Sequence, residues 1–122
     1  MDLLKSKICV VGLGGVGGYI GGTLARKYDN IYFFARGERK ESLLKNGIHI
    51  KSRAIGEFVS HAKDVSDDPV KLGVMDIVFI CVKNYSLENV CQTIKPIVGE
   101  KTILIPIMNG IELFRGNIRF IK

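Results

Sequence analysis

The seven glycines that fall between residues 12 and 22 constrain this chain more than any other feature. They lie within Ile8 to Ala25, an uncharged run of 18 residues that follows Lys5 and Lys7. Length and polarity alone would suit a leader peptide or a membrane span. The glycines argue against both, because each one inside a helix weakens it by about 1 kcal/mol relative to alanine. They are also ordered. Lys7 to Val11 (KICVV) is a short run rich in β-branched residues, and Gly12-Leu13-Gly14-Gly15-Val16-Gly17 follows at once. Val16, Ile20, Leu24 and Tyr28 then recur every fourth position. This is the pattern of a buried strand, a glycine turn and a helix whose apolar stripe faces a core.

Each glycine in the G-x-G-x-x-G spacing permits something different. Gly12 allows a tight turn out of the strand, Gly14 lets a pyrophosphate approach the backbone, and Gly17 lets the helix pack closely. The free N–H groups and positive dipole end of the helix then favour a diphosphate. Gly21 and Gly22 extend the small-residue face toward a sheet.

The rest of the chain alternates in the same way. Ile31 to Ala35 (IYFFA) reads as a second strand, and Glu38 to Lys45 as a short polar helix stopped by Asn46-Gly47. Ile48 to Ser52 and Glu57 to His61 flank Gly56 as a small hairpin, and Asp67-Asp68-Pro69 reads as a turn. Asp76 to Val82 (DIVFICV) is almost wholly apolar, as a strand covered on both faces must be. Ser86 to Val98 reads as a helix with Ser86 as its N-cap, and Thr102 to Met108 (TILIPIM) as another buried strand. Pro106 cannot donate a ladder hydrogen bond, which places that strand at an edge or Pro106 near its end. Residues 112–122 carry little signal beyond a possible strand start at Asn117. The whole predicts one α/β domain over residues 1–122, a Rossmann-like open parallel sheet with helices on both faces.

Composition sets the outer bounds. With 47% hydrophobic and 25% charged residues, disorder is excluded. Cys9, Cys81 and Cys91 are an odd number with no C-x-x-C spacing, and two lie in apolar runs, so reduced thiols and a cytoplasmic location are expected. The net charge of +6 is scattered, with its densest group at Arg36, Arg39 and Lys40 and no interleaved aromatics. That suits a small polyanion and not a nucleic acid. His49 and His61 are isolated, so no metal site is expected.

The end of the second strand decides which dinucleotide fits. A carboxylate there accepts the adenosine ribose hydroxyls of NAD. This chain has Ala35-Arg36-Gly37, and a guanidinium pairs with the 2′-phosphate of NADP in bidentate fashion. The pattern leaves one alternative, in which Arg36 is solvated and Glu38 turns in to take the ribose.

GLGGVGG at 12–18, Ala35-Arg36, Val82-Lys83 and Met108-Asn109-Gly110 together resemble the ketopantoate reductase (2-dehydropantoate 2-reductase) family, from Lys7 to about Leu113. The resemblance implies the N-terminal, NADPH-binding domain of a two-domain enzyme that reduces ketopantoate to pantoate, on the route to pantothenate and coenzyme A. It implies that Gly12, Leu13, Gly14, Gly15, Val16 and Gly17 bind the pyrophosphate and Arg36 the 2′-phosphate. Lys83 and Asn109 match family positions that line the cofactor and substrate cleft, Asn109 also meeting substrate. By themselves these two residues read equally well as a solvated loop lysine and half of an Asn-Gly turn pair. In the family the lysine that acts as general acid lies in a helical C-terminal domain. No residue of this chain is therefore expected to protonate the substrate, and the domain alone is expected to bind cofactor with little turnover. The apolar surface left by a missing domain would invite a homodimer. Two other functions share the glycine turn: a non-catalytic dinucleotide-sensing domain of a transport system, and the cofactor domain of another NADP-linked dehydrogenase.

Overall fold

A computed structural model of the protein describes residues 4–12, 15–82 and 87–107. Leu13, Gly14, Lys83 and Asn109, the proposed cap Ser86, and residues 108–122 lie outside the described residues. In chain order the elements begin with β1 (Ile8–Val11), α1 (Gly15–Lys27), β2 (Ile31–Phe34), α2 (Gly37–Asn46), β3 (Ile48–Ser52) and β4 (Gly56–Ser60). They continue with β5 (Asp64–Ser66), α3 (Pro69–Leu72), β6 (Met75–Ile80), α4 (Leu87–Thr93), a 3-10 turn (Lys95–Ile97) and β7 (Val98–Pro106).

Five strands form one sheet in the order β5-β2-β1-β6-β7, parallel at every pairing, and β3 and β4 form a separate antiparallel hairpin. The expected Rossmann-like architecture is present. Because β1 is central, the chain winds outward through β2 to β5 and then crosses to β6 and β7. The carboxyl ends of β1 and β6 therefore flank a topological switch point, where open α/β sheets place ligands.

Both faces of the sheet are apolar because both are covered. Ile8, Val10, Ile31, Phe33 and Ile77 face α1 and the hairpin, where Leu24, Ala25, Ile48 and Ile50 meet them. Cys9, Val11, Phe34, Val78 and Ile80 face the other way, against Leu72, Ile94 and Ile97. The hairpin is tied to α1 by the Ser60 hydroxyl, which donates to the Gly22 carbonyl at 2.7 Å.

The way α1 lies on the sheet corrects the expected apolar stripe. Val16 is 40% exposed and Ile20 only half-buried, whereas Gly17 and Gly21 are buried. A Cβ on Gly17 would fall on the Gly12 carbonyl oxygen, and one on Gly21 on the Phe33 ring. The helix thus presents glycine to the sheet, and Leu24 packs against the core from the following turn. Backbone and ring come into direct contact, which four-residue spacing of apolar side chains cannot reveal.

Other departures have equally local causes. The helix expected from Ser86 to Val98 gives way after Thr93 to the 3-10 turn, since Pro96 has no N–H and its ring excludes a helical residue before it. Asp67-Asp68-Pro69 is more than a turn: the Asp68 carboxylate accepts from Val70 N–H at 3.0 Å and caps α3, with Pro69 in its first turn. Strand β5 was not expected at all. Strand β7 begins four residues early, through an irregularity opposite Met75 to Ile77. There the Thr102 hydroxyl accepts from Gly99 N–H at 2.7 Å and donates to the Met75 carbonyl at 2.6 Å. β7 is an edge strand among the described residues and ends at Pro106, but it is not buried, because Ile103 and Leu104 remain 47% and 40% exposed. No described helix is long and apolar enough to cross a membrane.

Two outcomes follow from this packing. Gly21→Ala should lower stability by about 1–2 kcal/mol, overpacking against Phe33 outweighing the gain of about 1 kcal/mol in helix propensity. A fall in the urea midpoint at constant slope would show this, and a rise would mean that the helix stands farther off. Burial pushes the Cys9 thiol up to about 12, so the fold favours its neutral form. That stability is intact below pH 9 and is lost as pH rises from 9 toward 12, by up to about 1.4 kcal/mol per pH unit. Urea unfolding from pH 8 to 11 should therefore show wild type losing ground to Cys9→Ala as pH rises; a constant difference would contradict it.

Candidate functional site

Gly12 leaves β1 with φ of +87°, a left-handed conformation that glycine alone adopts freely. Space reinforces this choice. A Cβ there would lie 2.5 Å from the Cys81 carbonyl oxygen and 2.8 Å from Val82 Cγ1. The strand ends on either side are locked together, with Cys81 N–H donating to the Val11 carbonyl at 2.8 Å and Ala35 N–H to the Ser66 carbonyl at 3.1 Å. Helix α1 opens at Gly15 with no acidic side chain in its first turn, and the N–H groups of such a turn lack intrahelical acceptors.

Beside Gly12 is a cleft of about 520 Å³, lined by the ends of β1, β2 and β6 and by α4. Its apolar wall is Val11, Phe34, Ala35, Val82 and Val90. Its polar groups are Arg36, Arg39, Asn89 and Thr93, and no carboxylate is among its described lining residues. Two cations beside a flat apolar wall suit an anionic ligand that carries a planar ring.

The first turn of α2 sorts its charges by direction. Arg36 holds the N-cap position in extended conformation, with its guanidinium carbon 5.4 Å from the centre of the Phe34 ring. Lys40 is engaged elsewhere, its ammonium 3.4 Å from the Asp67 carboxylate. Glu38 lines a different hollow of about 740 Å³, between α1, α2 and β3, together with Tyr19, Ser42 and His49. Arg39 lies on the ridge and borders both spaces.

Of the residues singled out from sequence, the structure brings Gly12 and Arg36 to one cleft. Gly15, Val16 and Gly17 follow on α1, where Gly17 is buried against Gly12 and does not line the cleft. Leu13, Gly14, Lys83 and Asn109 fall outside the described residues. Sequence reasoning passed over Asn89, Val90 and Thr93. Asn89 and Thr93 stand one helical turn apart, but that spacing alone does not point to a cleft. Thr93 spends its hydroxyl proton on the Asn89 carbonyl at 3.0 Å, so Asn89 is the freer polar group of the pair.

Cys81, just after β6, is not a candidate nucleophile. Cys81 has its thiol pushed up to about 11 by burial, which removes the thiolate a nucleophile needs. Among the described residues no three His, Cys, Asp or Glu side chains are placed to hold a metal.

Comparison with known proteins agrees with this geometry. A model of the family described as ketopantoate reductase PanE/ApbA matches residues 8–115. The oxidoreductase YkpB of Bacillus subtilis (strain 168), itself uncharacterised, is 39% identical over 104 residues, covering 85% of this chain and 33% of that protein. A 2-dehydropantoate 2-reductase of Mesorhizobium japonicum is 28% identical over 106 residues, 86% of this chain and 32% of its own length. The crystal structure of 2-dehydropantoate 2-reductase from Porphyromonas gingivalis W83 superposes with a TM-score of 0.77 at 31% identity, over 91% of this chain and 41% of that one. The chain thus spans about a third of the length of the curated relatives it matches. Glycine turn, switch-point cleft and family match coincide in the same stretch of sequence, and the chain belongs to the ketopantoate reductase family.

Proposed function

We propose that this chain is the cofactor-binding domain of an NADPH-dependent 2-dehydropantoate 2-reductase, working with a helical catalytic domain. The observation that carries the reading is the cleft at the switch point, lined by Gly12 and two arginines with no carboxylate among the described lining residues. The residues fit the cofactor. Gly12 keeps the turn close against the end of β6 and leaves its backbone open to the cleft, the apolar wall suits adenine, and Arg36 on the cleft lining is the cation proposed for a 2′-phosphate.

In this reading the segment Gly12, Leu13, Gly14, Gly15, Val16 and Gly17 holds the pyrophosphate, and Arg36 the 2′-phosphate. Lys83 and Asn109 follow β6 and β7 in sequence and border the nicotinamide and the 2-keto acid, with Asn109 orienting the substrate through its amide. The bound cofactor supplies a hydride to the substrate carbonyl. The contribution of this chain is to bind and orient; the proton that completes the alcohol comes from the partner domain. Free thiols at Cys9, Cys81 and Cys91 agree with a cytoplasmic setting. A homodimer would cover the apolar edge at Ile103 and Leu104.

A dinucleotide-sensing module would want a carboxylate at the ribose. The nearest candidate, Glu38, lines the other hollow, and this favours the reductase reading.

Arg36→Ala should weaken NADPH binding roughly ten- to hundredfold, the worth of a hydrogen bond between charged groups, and leave NADH within about twofold. Fluorescence titration of both cofactors reads this directly, and equal losses would refute the 2′-phosphate assignment. The 122-residue chain incubated with NADPH and ketopantoate should bind the cofactor yet oxidise almost none of it. Sustained turnover, followed at 340 nm, would place a general acid within this chain.

A further inference from the structure

We propose that Arg39 is a second specificity-determining residue, closing with Arg36 on a phosphomonoester at the adenosine ribose so that the site reads a dianion with two guanidinium groups. The inference rests on the cofactor reading above and goes beyond it, since the resemblance that assigned Arg36 says nothing of position 39.

Three observations select Arg39. It lines the cleft together with Arg36, one on either side of Gly37 and Glu38 at the start of α2. It forms no ion pair with a described residue, whereas its neighbour Lys40 is held by Asp67 at 3.4 Å. The intervening acid Glu38 lines the opposite hollow, which Arg39 also borders, and no carboxylate is among the described residues of the cleft lining to compete for either guanidinium. A monoester phosphate carries close to two negative charges near neutral pH and offers three oxygens. One planar fork pairs with two of them, and a second cation is needed to meet the remaining charge. A ribose bearing only hydroxyls gives Arg39 nothing to pair with. The residue should therefore act on discrimination and leave general affinity unchanged.

The test uses the full chain and two probes that lack nicotinamide, adenosine 2′,5′-bisphosphate and adenosine 5′-monophosphate, titrated by calorimetry. Arg39→Ala should weaken the bisphosphate about tenfold or more and leave the monophosphate within about twofold. Arg39→Lys should recover part of the loss, because charge returns without the fork. Lys40→Ala, with its ammonium already engaged, should change neither probe by more than about twofold. Thermal unfolding of each variant guards against a loss of fold, and Arg39 is exposed, so little change is expected. If Arg36→Ala loses the bisphosphate while Arg39→Ala does not, the clamp is wrong and the cofactor site stands. If wild type does not distinguish the two probes, both fall together. Equal losses of both probes in Arg39→Ala would also overturn the proposal, since they would make it a general contact.

Discussion

Helix α1 can begin directly on the end of β1 because Gly17 has no side chain to hold them apart, and Gly12 has none to push the turn away from the end of β6. A Cβ at position 17 would occupy the place of the Gly12 carbonyl oxygen, and one at position 12 would press on the Cys81 carbonyl. Helix and strand therefore meet backbone to backbone. One turn farther on, the same closeness sets Gly21 on the ring of Phe33 at the centre of the sheet. The contact that closes the core on this face also brings the unpaired N–H groups of a helix start to the carboxyl edge of the sheet. In the proposed reading, stability and cofactor binding share one cause, and a methyl group at either glycine would disturb both.

Charge is then sorted around that edge over four residues. Arg36 faces the cleft, Arg39 stands on the ridge and borders both the cleft and the opposite hollow, Glu38 lines that hollow, and Lys40 is drawn to Asp67. A helix turns about 100° per residue, so neighbours in sequence look onto different spaces. A basic cluster that looks uniform in one dimension thereby gives the cleft two arginines and no acid from this segment, while Glu38 is left to the hollow that Arg39 shares. No ion pair among the described residues neutralises the cleft, whose lining carries two arginines against an apolar wall.

Much of this was legible in the sequence. Strict succession of a β-branched run, glycine turn and four-residue period identified β1 and α1, and the apolar segments around Ile31 and Ile77 could only be strands covered on both faces. Arg36 was legible as a cleft residue because it follows directly on the second strand, at the carboxyl edge of the sheet. Three things were not. The buried face of α1 is made of glycine, and a hydrophobic stripe gives no weight to residues that pack by having no side chain. Strand β5 has three residues, two of them polar, and exists because β2 offers it an edge. Asn89 and Thr93 reach the cleft only through the docking of α4 on the far face of the sheet, a tertiary outcome that local spacing does not contain.

The most direct measurement is a two-dimensional amide NMR titration of the chain with NADPH. Shifts should concentrate at Gly12, Gly15 to Gly17, Arg36 to Arg39 and Asn89 to Thr93, leaving Ser42, His49 and Lys51 in the other hollow unmoved. Shifts centred on Ser42 and His49 with Gly12 undisturbed, or none at all at saturating cofactor, would contradict a dinucleotide held by the glycine turn.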